Sequence, residues 1–287
     1  MKKKIIALVV TYNRLNDLKN CLSALHQQTY KDFDILVVNN GSTDETKDYL
    51  DNLNDGTLII HQENLGGAGG FYAGMKYMYD NNYDWLWMMD DDGVAEIHQL
   101  EKLLNYADQF KFMNALVLDK DNHDSLAFGG FFGKSVQEIK KEKYILGIIA
   151  PFNGTFIHKT IIEKVGFIKK EMFIWGDEQE YTLRVGTAGI TIATITDAIH
   201  YHPHEKGEKV KLSFRGTPYT ILLKPKKLSH YYYRNLGYLD RTYRCKHWYK
   251  GISSPIVYTR FFLGKGDFKE AYKYLKYYIR GRNNNYK

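Results

Sequence analysis

Short apolar runs alternate with helix-like spacing of apolar residues through the first half of the chain. The apolar runs predict strands at residues 4–11, 33–40, 58–62 and 85–89. Between the first two runs, leucines recur at Leu18, Leu22 and Leu25, which is the spacing of one buried helix face. An order of strand, helix, strand is typical of a mainly parallel sheet covered by helices. The pattern therefore predicts an α/β fold.

Further elements follow from the same two periodicities. Three more helices are marked by Tyr49, Leu50 and Leu53, by the glycine-rich stretch near Gly67, and by Ile97, Leu100, Leu103 and Leu104. After residue 110 the pattern becomes mixed, with apolar runs at residues 115–118, 145–156 and 190–199 and a helix predicted at 178–187. The regular alternation of strand and helix therefore applies to the first half of the chain.

The charge of the chain divides near Pro203. Residues 206–287 hold 20 Lys and Arg against 4 Asp and Glu, a net charge of +16, whereas residues 1–205 hold 20 against 29, a net charge of −9. In the basic part, residues 228–249 and 268–280 predict aromatic helices joined by a segment that contains Pro255. We expect a domain at 1–205 and a basic, tyrosine-rich helical region at 206–287.

Cations beside tyrosines suit an anionic membrane surface, although they also suit nucleic acid, and a solvated helix face is the simplest alternative. No stretch approaches the roughly 18 apolar residues that a spanning helix needs, so an integral membrane protein is not expected. The two cysteines, Cys21 and Cys245, are too few for a disulfide framework or a thiolate zinc site. This usage fits a reducing cytosol.

Polar residues follow each of the four predicted strands. They are Thr11, Tyr12, Asn13 and Arg14 after the first, residues 39–44 after the second, Glu63, Asn64 and several glycines after the third, and Asp90, Asp91 and Asp92 after the fourth. Ligands of open parallel sheets bind beyond the carboxyl ends of the strands. These turns are therefore expected to form one pocket.

Three consecutive carboxylates end an otherwise apolar strand in the stretch Asp90–Asp91–Asp92–Gly93. A simple turn would explain them, since acidic residues and glycine are common where a strand ends. A divalent cation is the alternative, because hard cations take carboxylate oxygens and remove the repulsion between them. The convergence of four polar turns favours a nucleotide pocket that holds a metal.

Two later clusters could complete such a pocket. Asp177 and Glu178 open a predicted helix after Trp175, where they complement the helix dipole or act as a general base. His200 and His202 lie on the same face of a predicted strand, so either could supply a nitrogen ligand to a metal held by the aspartates.

Seven segments together resemble the inverting glycosyltransferases of family 2, which have the GT-A fold. They are VVTYNR (9–14), VVNNGSTD (37–44), NLGGAGGF (64–71), MMDDDG (88–93), FNGTF (152–156), IWGDEQEYTLR (174–184) and DAIHYH (197–202). With YYYRN (231–235), they look most like the galactofuranosyl and rhamnosyl transferase branch that builds bacterial surface polysaccharides. The resemblance implies a Rossmann-like, mixed and mainly parallel sheet flanked by helices, with a basic helical extension.

The resemblance also implies roles for the acidic and histidine residues. Asp90 would face the ribose of the donor, Asp91 would lie on the nucleotide side, and Asp92 would bind Mn²⁺ or Mg²⁺. His202 would be the further metal ligand, with His200 as the second choice. Glu178 falls where the family keeps its general base, which is usually an aspartate, so Asp177 is a rival.

The same resemblance places the donor and the acceptor. Thr11, Asn13 and Arg14 would hold the nucleobase and the phosphates, and Asn39 stands where many relatives carry an aspartate that accepts the base N3–H. Asn64 and Gly67 would lie near the diphosphate. Asn153 and Trp175 would lie near the sugar or the acceptor.

The implied reaction is a single displacement with inversion at the anomeric carbon. The first expectation for the donor is UDP-galactofuranose, followed by dTDP-rhamnose, and a UDP-pyranose such as galactose or glucose remains open. A lipid-linked glycan at the cytoplasmic face of the cell membrane is the expected acceptor. The basic region would contact the anionic membrane there as a peripheral protein.

Three other classes compete with this interpretation. An inactive sugar-binding scaffold would lack the base or the metal ligands, which are both present in this chain. A sugar-1-phosphate nucleotidyltransferase would need a glycine-rich basic loop after the first strand, where Thr11–Tyr12–Asn13–Arg14 stands instead. A nucleic-acid partner is not expected, because residues 1–205 carry a net charge of −9 and would repel phosphates.

Overall fold

The structure is a computed structural model that describes residues 3–128, 133–147, 152–204, 208–214, 216–244 and 253–286. The chain forms two compact units. The first unit comprises Met1–Lys170 and Tyr181–Glu205, and the second comprises Glu171–Glu180 and Lys206–Lys287. The second unit thus takes up a ten-residue segment from the middle of the chain.

The first unit is built from nine strands and the helices between them, within the described residues. Its first half contains β1 Ile5–Thr11, α1 Leu15–His26, β2 Asp34–Asn39, α2 Thr46–Asp51, β3 Leu58–His61, α3 Gly66–Asp80, β4 Trp85–Asp90, β5 Val94–Ala95 and α4 Gln99–Leu104. Its second half contains β6 Phe112–Asp119, α5 Val136–Ile139, β7 Tyr144–Leu146, β8 Thr155–His158, α6 Lys159–Val165, a 3₁₀ turn at Lys170–Met172, α7 Asp177–Thr187 and β9 Ile192–His202. The 3₁₀ turn and α7 cross the boundaries of the two units.

The strands form one mixed sheet in the order β3-β2-β1-β4-β8-β6-β9-β5, with β7 paired to β9. Strands β3, β2, β1 and β4 run parallel. The reversed strand β8 lies antiparallel between β4 and β6, and β6 pairs in parallel with β9. The predicted α/β fold with a mixed, mainly parallel sheet is confirmed.

Strand β1 is buried along its whole length because both faces of the sheet are covered. Ile5, Ala7 and Val9 pack with Leu18, Leu22 and Leu25 of α1 on one face. On the other face, Ile6, Leu8 and Val10 pack with Phe71, Met75 and Met78 of α3. This packing on both faces fixes the position of β1, including its carboxyl end at the edge of the sheet.

The first four strands were predicted to within two residues at each end, and the helices between them were also predicted. Differences appear at the loops, where α2 ends at Asp51 before Leu53, and α4 begins at Gln99 after Ile97, whose side chain is exposed. The apolar run 145–156 contains two separate strands, β7 and β8. Residues 148–151 of that run lie outside the described residues.

The second unit begins with an antiparallel hairpin of β10 Glu208–Phe214 and β11 Thr217–Leu223. It continues with α8 Ser229–Leu239, a π-helical turn at Asp240–Arg244, α9 Ser253–Gly264 and α10 Phe268–Arg282. The hairpin was not predicted, and a wholly helical extension was the expectation. Val210 and Leu212 alternate with Lys209 and Lys211, which is the two-residue period of a strand.

The connecting segment that contains Pro255 is helical, since it includes α9. Proline is tolerated there because it stands in the first turn of α9, where backbone N–H groups have no partner within the helix. The predicted helix 228–249 is present as α8 and the π-helical turn up to Arg244, and its last part, 245–249, lies outside the described residues.

The core of the second unit is aromatic, with Tyr233, Tyr258, Tyr274 and Tyr278 among its buried residues. The rings of Tyr258 and Tyr274 stack with centroids 4.7 Å apart. Helices α8 and α10 cross with their backbones in close contact, since a Cβ on Gly237 would lie 2.1 Å from the Tyr278 carbonyl oxygen. Glycine is therefore required at this crossing.

Among the residues that the structure describes, no helix combines the length and apolar character that crossing a bilayer requires.

Candidate functional site

The carboxyl ends of three parallel strands lie side by side in the first unit. Thr11 at the end of β1 is the register partner of Asn39 at the end of β2, and Val10 is the partner of Asp90 at the end of β4. The loops that follow these strands therefore leave the sheet at the same edge, as expected for a parallel sheet.

Asp90, Asp92 and His202 come together at this edge. One ligand atom from each of the three side chains lies within 4.8 Å of the other two. The Nε2 atom of His202 is 3.0 Å from Oδ1 of Asp92. Two carboxylate oxygens and one imidazole nitrogen are a donor set that Mn²⁺ or Mg²⁺ accepts, so the residues present fit such a cation.

The three carboxylates differ strongly in their protonation. Burial, with a further contribution from the charge of Asp92, raises the pKa of Asp90 to about 7. Burial also raises the pKa of Asp91 to about 6. Although burial acts in the opposite direction, His202 and Arg14 lower the pKa of Asp92 to about 2. At pH 7 Asp92 is thus fully ionised and Asp91 is largely ionised, and Asp90 is the carboxyl that a cation would have to deprotonate.

Asp91 turns toward the loop after β1 and is only 3% exposed. Its Oδ2 accepts a hydrogen bond from the Thr11 hydroxyl at 2.7 Å and one from the Tyr12 backbone N–H at 3.4 Å. The Arg14 guanidinium donates to Oδ1 of Asp91 at 3.3 Å and also contacts Asp92. Asp91 therefore fixes the loop that carries Arg14. It does not belong to the group of Asp90, Asp92 and His202 whose ligand atoms lie close together.

His200 is buried beneath the aspartate turn, although it lies on the same face of β9 as His202. Its Nδ1 is 3.1 Å from Oε1 of Gln99, and burial lowers the pKa of the ring to about 3. A Cβ on Gly93 would lie 2.3 Å from His200 Nε2, so the ring fills the space under the turn. The structure brings His202, rather than the reserve candidate His200, to the aspartates.

Asn13 and Asn39 connect neighbouring loops. Asn13, with a φ of 54°, accepts a hydrogen bond at Oδ1 from the Thr43 backbone N–H at 2.6 Å. Asn39 accepts one at Oδ1 from the Ser42 N–H at 3.0 Å, and its amide nitrogen is 3.0 Å from Nδ1 of His61. The Asn39 amide oxygen, expected to face a nucleobase, thus already accepts one bond within its own turn.

The loop before α3 is organised by Asn40, a buried residue that was not among the predicted site residues. Its side-chain oxygen accepts hydrogen bonds from Gln62 at 2.8 Å and from the Leu65 backbone N–H at 3.1 Å. Asn64 accepts one at Oδ1 from the Gly66 N–H at 3.0 Å. Gly67 follows in the first turn of α3, and a Cβ there would meet nothing within 4 Å. That open space leaves room for a ligand beside the helix start.

Asn153 stands in the turn that directly precedes strand β8. Phe152 and Gly154, on either side of it, have positive φ values of 65° and 74°. The Gly154 N–H donates to the Met88 carbonyl at 3.0 Å, which ties the turn to β4. The Oδ1 atom of Asn153 is buried and has no hydrogen-bond partner in the described part of the chain. This buried oxygen therefore has unused capacity to accept a hydrogen bond.

Trp175, Asp177 and Glu178 lie in the segment that belongs to the second unit. Its backbone carries positive φ values at Phe173, Trp175 and Gly176. The side-chain amide of Asn235 donates to the carbonyls of Met172, Ile174 and Trp175 at 2.9, 3.0 and 3.0 Å. Asn235 therefore holds a strained backbone in place, as strained residues require support from their surroundings.

The two candidate bases differ in exposure. Asp177 is 4% exposed, whereas Glu178 is partly exposed and accepts a hydrogen bond at Oε2 from the Gly176 N–H at 3.3 Å. The next carboxylate, Glu180, accepts a hydrogen bond from the Tyr243 hydroxyl at 2.7 Å. Of these three, Glu178 is the most accessible to an acceptor.

Arg234 supports the same segment from α8. Its guanidinium donates to the Glu171 carbonyl at 2.7 Å and lies over the Tyr286 ring, 4.3 Å from the centroid. Neither Arg234 nor Asn235 was predicted as a site residue. The motif YYYRN drew attention to both, but no periodicity of the sequence joins them to residues 60 positions earlier.

Comparisons with known proteins agree with this geometry. A family model described as glycosyl transferase family 2 matches residues 6–127. Galactofuranosyltransferase GlfT1 of Mycobacterium tuberculosis (strain CDC 1551 / Oshkosh) is 30% identical over 218 residues, which cover 71% of this chain and 71% of the relative. The dTDP-rhamnosyl transferase RfbF of Shigella flexneri is 24% identical over 208 residues, 70% of each chain.

Solved structures show a likeness of fold. The chain resembles S. aureus TarS 1-349 in complex with UDP-GlcNAc with a TM-score of 0.59, at 13% identity, covering 97% of this chain and 81% of that one. The same protein in complex with UDP gives a TM-score of 0.55 at 15% identity, covering 82% and 63%. The predicted GT-A fold is confirmed.

Gly93→Ala tests whether the packing under the aspartate turn sets the geometry of the cluster. Because the new Cβ would overlap His200 Nε2, the turn has to move, and we expect nucleotide binding in the presence of Mn²⁺ to weaken at least about tenfold. Calorimetry measures the affinity. Gly264→Ala is the matched control, because Gly264, like Gly93, has no positive φ and a Cβ there meets nothing within 4 Å. Equal affinities for both variants and the wild type would contradict this account.

Proposed function

The chain belongs to glycosyl transferase family 2, and from this premise we propose that it moves a hexose from a nucleoside-diphosphate donor to a glycan hydroxyl with inversion of configuration. One observation carries the proposal: Asp90, Asp92 and His202 meet at the carboxyl edge of the sheet, beside Thr11 and Arg14. Such an edge is where α/β sheets bind their ligands.

UDP-galactofuranose is the first proposed donor, followed by dTDP-rhamnose. The activities for which GlfT1 and RfbF are named, galactofuranosyl and dTDP-rhamnosyl transfer, support this order, because the GlfT1 match has the higher identity. A UDP-pyranose transferase and an inactive sugar-binding scaffold are the alternatives. The acceptor is proposed to be a lipid-linked glycan for a bacterial surface polysaccharide, at the cytoplasmic face of the cell membrane.

Asp92 and His202 are the proposed protein ligands of Mn²⁺ or Mg²⁺, with Asp90 as a third donor in the same group. When bound, such a cation supplies Lewis-acid stabilisation of the diphosphate leaving group. Asp90 was first expected to face the ribose, and its position among the grouped atoms favours the metal side. Arg14 adds a positive charge at the same edge, where the phosphates would bind.

The remaining residues bind and orient the substrates. Thr11, Asn13, Asn39 and Asn64 shape the loops around the nucleotide, and Asn153 offers its buried, unpaired amide oxygen to a sugar hydroxyl. Trp175 provides an aromatic face for a sugar, with Lys224 Nζ 5.0 Å from its ring centroid. Polar groups of this kind fix orientation inside a mostly apolar pocket.

Glu178 is the proposed general base. It takes the proton of the acceptor hydroxyl as the oxygen attacks the anomeric carbon, and the bond from that carbon to the diphosphate oxygen breaks with the electron pair leaving on the diphosphate. The partial exposure of Glu178, compared with the burial of Asp177, supports this choice. Asn235 positions the segment and does not take part in the reaction.

Calorimetry of UDP and dTDP with Mn²⁺, and with EDTA in its place, tests the proposed function. We expect one nucleotide to bind only with the metal, and Asp92→Asn to lose at least about tenfold in affinity because a ligand charge is removed. Asp108→Asn is the matched control, since the Asp108 side chain is 99% exposed. Failure of both nucleotides to bind with Mn²⁺ would refute the transferase proposal.

Metal-dependent binding should weaken as the pH falls. Burial and the charge of Asp92 raise the pKa of Asp90 to about 7. Below that pH the Asp90 carboxyl is protonated, and it must lose its proton to bind a cation. Contact with Asp92 raises the pKa of His202 against the effect of burial, so its protonation acts in the same direction. Below pH 7 we expect a loss of about tenfold per pH unit for one proton.

This pH profile is measured as the Mn²⁺-dependent affinity of the nucleotide across the range. Asp90→Asn removes one of the two titrating groups, so its profile should become shallower on the acidic side and keep the part that His202 contributes. Binding that stays constant in the wild type through pH 7 would exclude Asp90 as a ligand.

Glu178→Gln distinguishes the two candidate bases. We expect this variant to lose at least about a hundredfold in turnover, the range of general base catalysis, while its nucleotide affinity is unchanged. Asp177→Asn is the matched comparison, and turnover is followed with UDP-galactofuranose and dTDP-rhamnose on a lipid-linked acceptor. A larger loss in Asp177→Asn would transfer the role to Asp177.

A further inference from the structure

Helix α10 carries apolar side chains on its outer face. Phe268, Tyr272 and Ile279 are 70%, 69% and 55% exposed. Their spacing of four and seven residues places them on one side of the helix, and we call these three residues the apolar strip. The opposite side of α10 is occupied by core residues, including Tyr274 and Tyr278. An exposed, aligned strip of large apolar residues marks an interaction surface.

Helix α9 also carries exposed apolar side chains. Leu263 is 46% exposed and stands five residues before Phe268, across the short connection between the two helices. Ile256, one further exposed residue of α9, is 40% exposed. Large apolar side chains therefore project from both helices of this pair.

Basic residues flank the apolar strip. Lys269 and Lys276 are exposed. Because a helix rotates by about 100° per residue, Lys269, Lys276 and Arg280 form a row along one side of the apolar strip. Lys265 is exposed in the connection between α9 and α10. The border of the strip is thus positively charged.

The two acidic residues of this region are held in the interior or paired. Glu270 is 4% exposed and accepts hydrogen bonds from the hydroxyls of Ser229 at 2.6 Å and Tyr233 at 2.9 Å. Asp267 accepts the Glu270 N–H at 3.0 Å as the N-cap of α10 and pairs with Lys226. No other Asp or Glu occurs between residues 253 and 286 to offset the lysines beside the strip.

We infer that the apolar strip of α10 and its basic border bind the surface of a bilayer that contains anionic lipids. Phe268, Tyr272 and Ile279 would enter the boundary between headgroups and acyl chains, and the lysines would meet the lipid phosphates. The long basic side chains reach the headgroup level while their stems cover apolar surface.

The charge pattern separates a lipid surface from other occupants. A second copy of the chain, placed strip to strip, would bring the lysines of both copies together, and like charges oppose such an interface. Nucleic acid would satisfy the lysines but offers no acyl layer for the strip. The inference deepens the proposed function, because it rests on a membrane-borne acceptor and names the surface that approaches it.

Vesicle sedimentation of the full chain, without nucleotide, tests the inference. We expect binding to vesicles of phosphatidylcholine with phosphatidylglycerol, and at least about tenfold weaker binding to phosphatidylcholine alone. Phe268→Ser with Ile279→Ser, and separately Lys269→Glu with Lys276→Glu, should each reduce binding to the anionic vesicles at least about tenfold. Ile97→Ser with Tyr79→Ser is the matched control, since those side chains are 45% and 40% exposed in the first unit.

A second measurement detects contact between the strip and the membrane directly, and it does not depend on a loss of binding. The emission of Phe268→Trp should shift to shorter wavelength on anionic vesicles, whereas that of Ile97→Trp should not. Equal binding of the strip variant and the wild type, or an unchanged emission of Phe268→Trp on vesicles, would overturn the inference. Self-association in ultracentrifugation that the strip variant abolishes would also overturn it, in favour of a second copy.

Nucleotide affinity is measured on the same variants so that the two proposals are separable. Absent vesicle binding with intact metal-dependent nucleotide binding would reject the membrane surface alone. Intact vesicle binding with no nucleotide binding would reject the proposed catalytic function alone.

Discussion

Three adjacent carboxylates at the end of a buried strand are the constraint that organises the first unit, since close like charges must be neutralised, paired or protonated. The structure uses a different means for each. Asp92 is ionised beside His202 and Arg14, Asp91 accepts hydrogen bonds from Thr11 and Tyr12, and burial raises the pKa of Asp90 to about 7. The charge arrangement thereby connects β4 to the ends of β1 and β9.

The packing beneath the cluster follows from the same constraint. The turn that carries the aspartates lies over His200, and Gly93 is small enough to permit this contact. His200 stays neutral there, because burial lowers the pKa of its ring to about 3. A protonated His200 would place another positive charge under the turn, where it would compete with His202 for the carboxylates. The neutral ring instead supports the backbone and leaves His202 to face Asp92. Adjacent histidines on one strand face thus have separate tasks.

The sequence predicted this edge because the strand periodicities are strong and a parallel sheet brings its carboxyl ends together. It could not choose between His200 and His202, since both have the same parity on β9 and only the depth of burial separates them. The hairpin of β10 and β11 was missed because the region was interpreted as helical from its basic, aromatic composition, and the two-residue period at Val210 and Leu212 is short. The role of Asn235 depends on tertiary contacts to residues 172–175, for which no local pattern exists.

The grouping of Glu171–Glu180 with the second unit has an evolutionary consequence. The candidate base travels with the helices that carry the apolar strip, and its backbone depends on Asn235, whereas the aspartates and His202 belong to the first unit. An exchange of C-terminal regions between related chains at residue 205 would separate the base segment from its support. Functional recombination would have to transfer two pieces at once, so the proposed base and the proposed membrane surface would be inherited together.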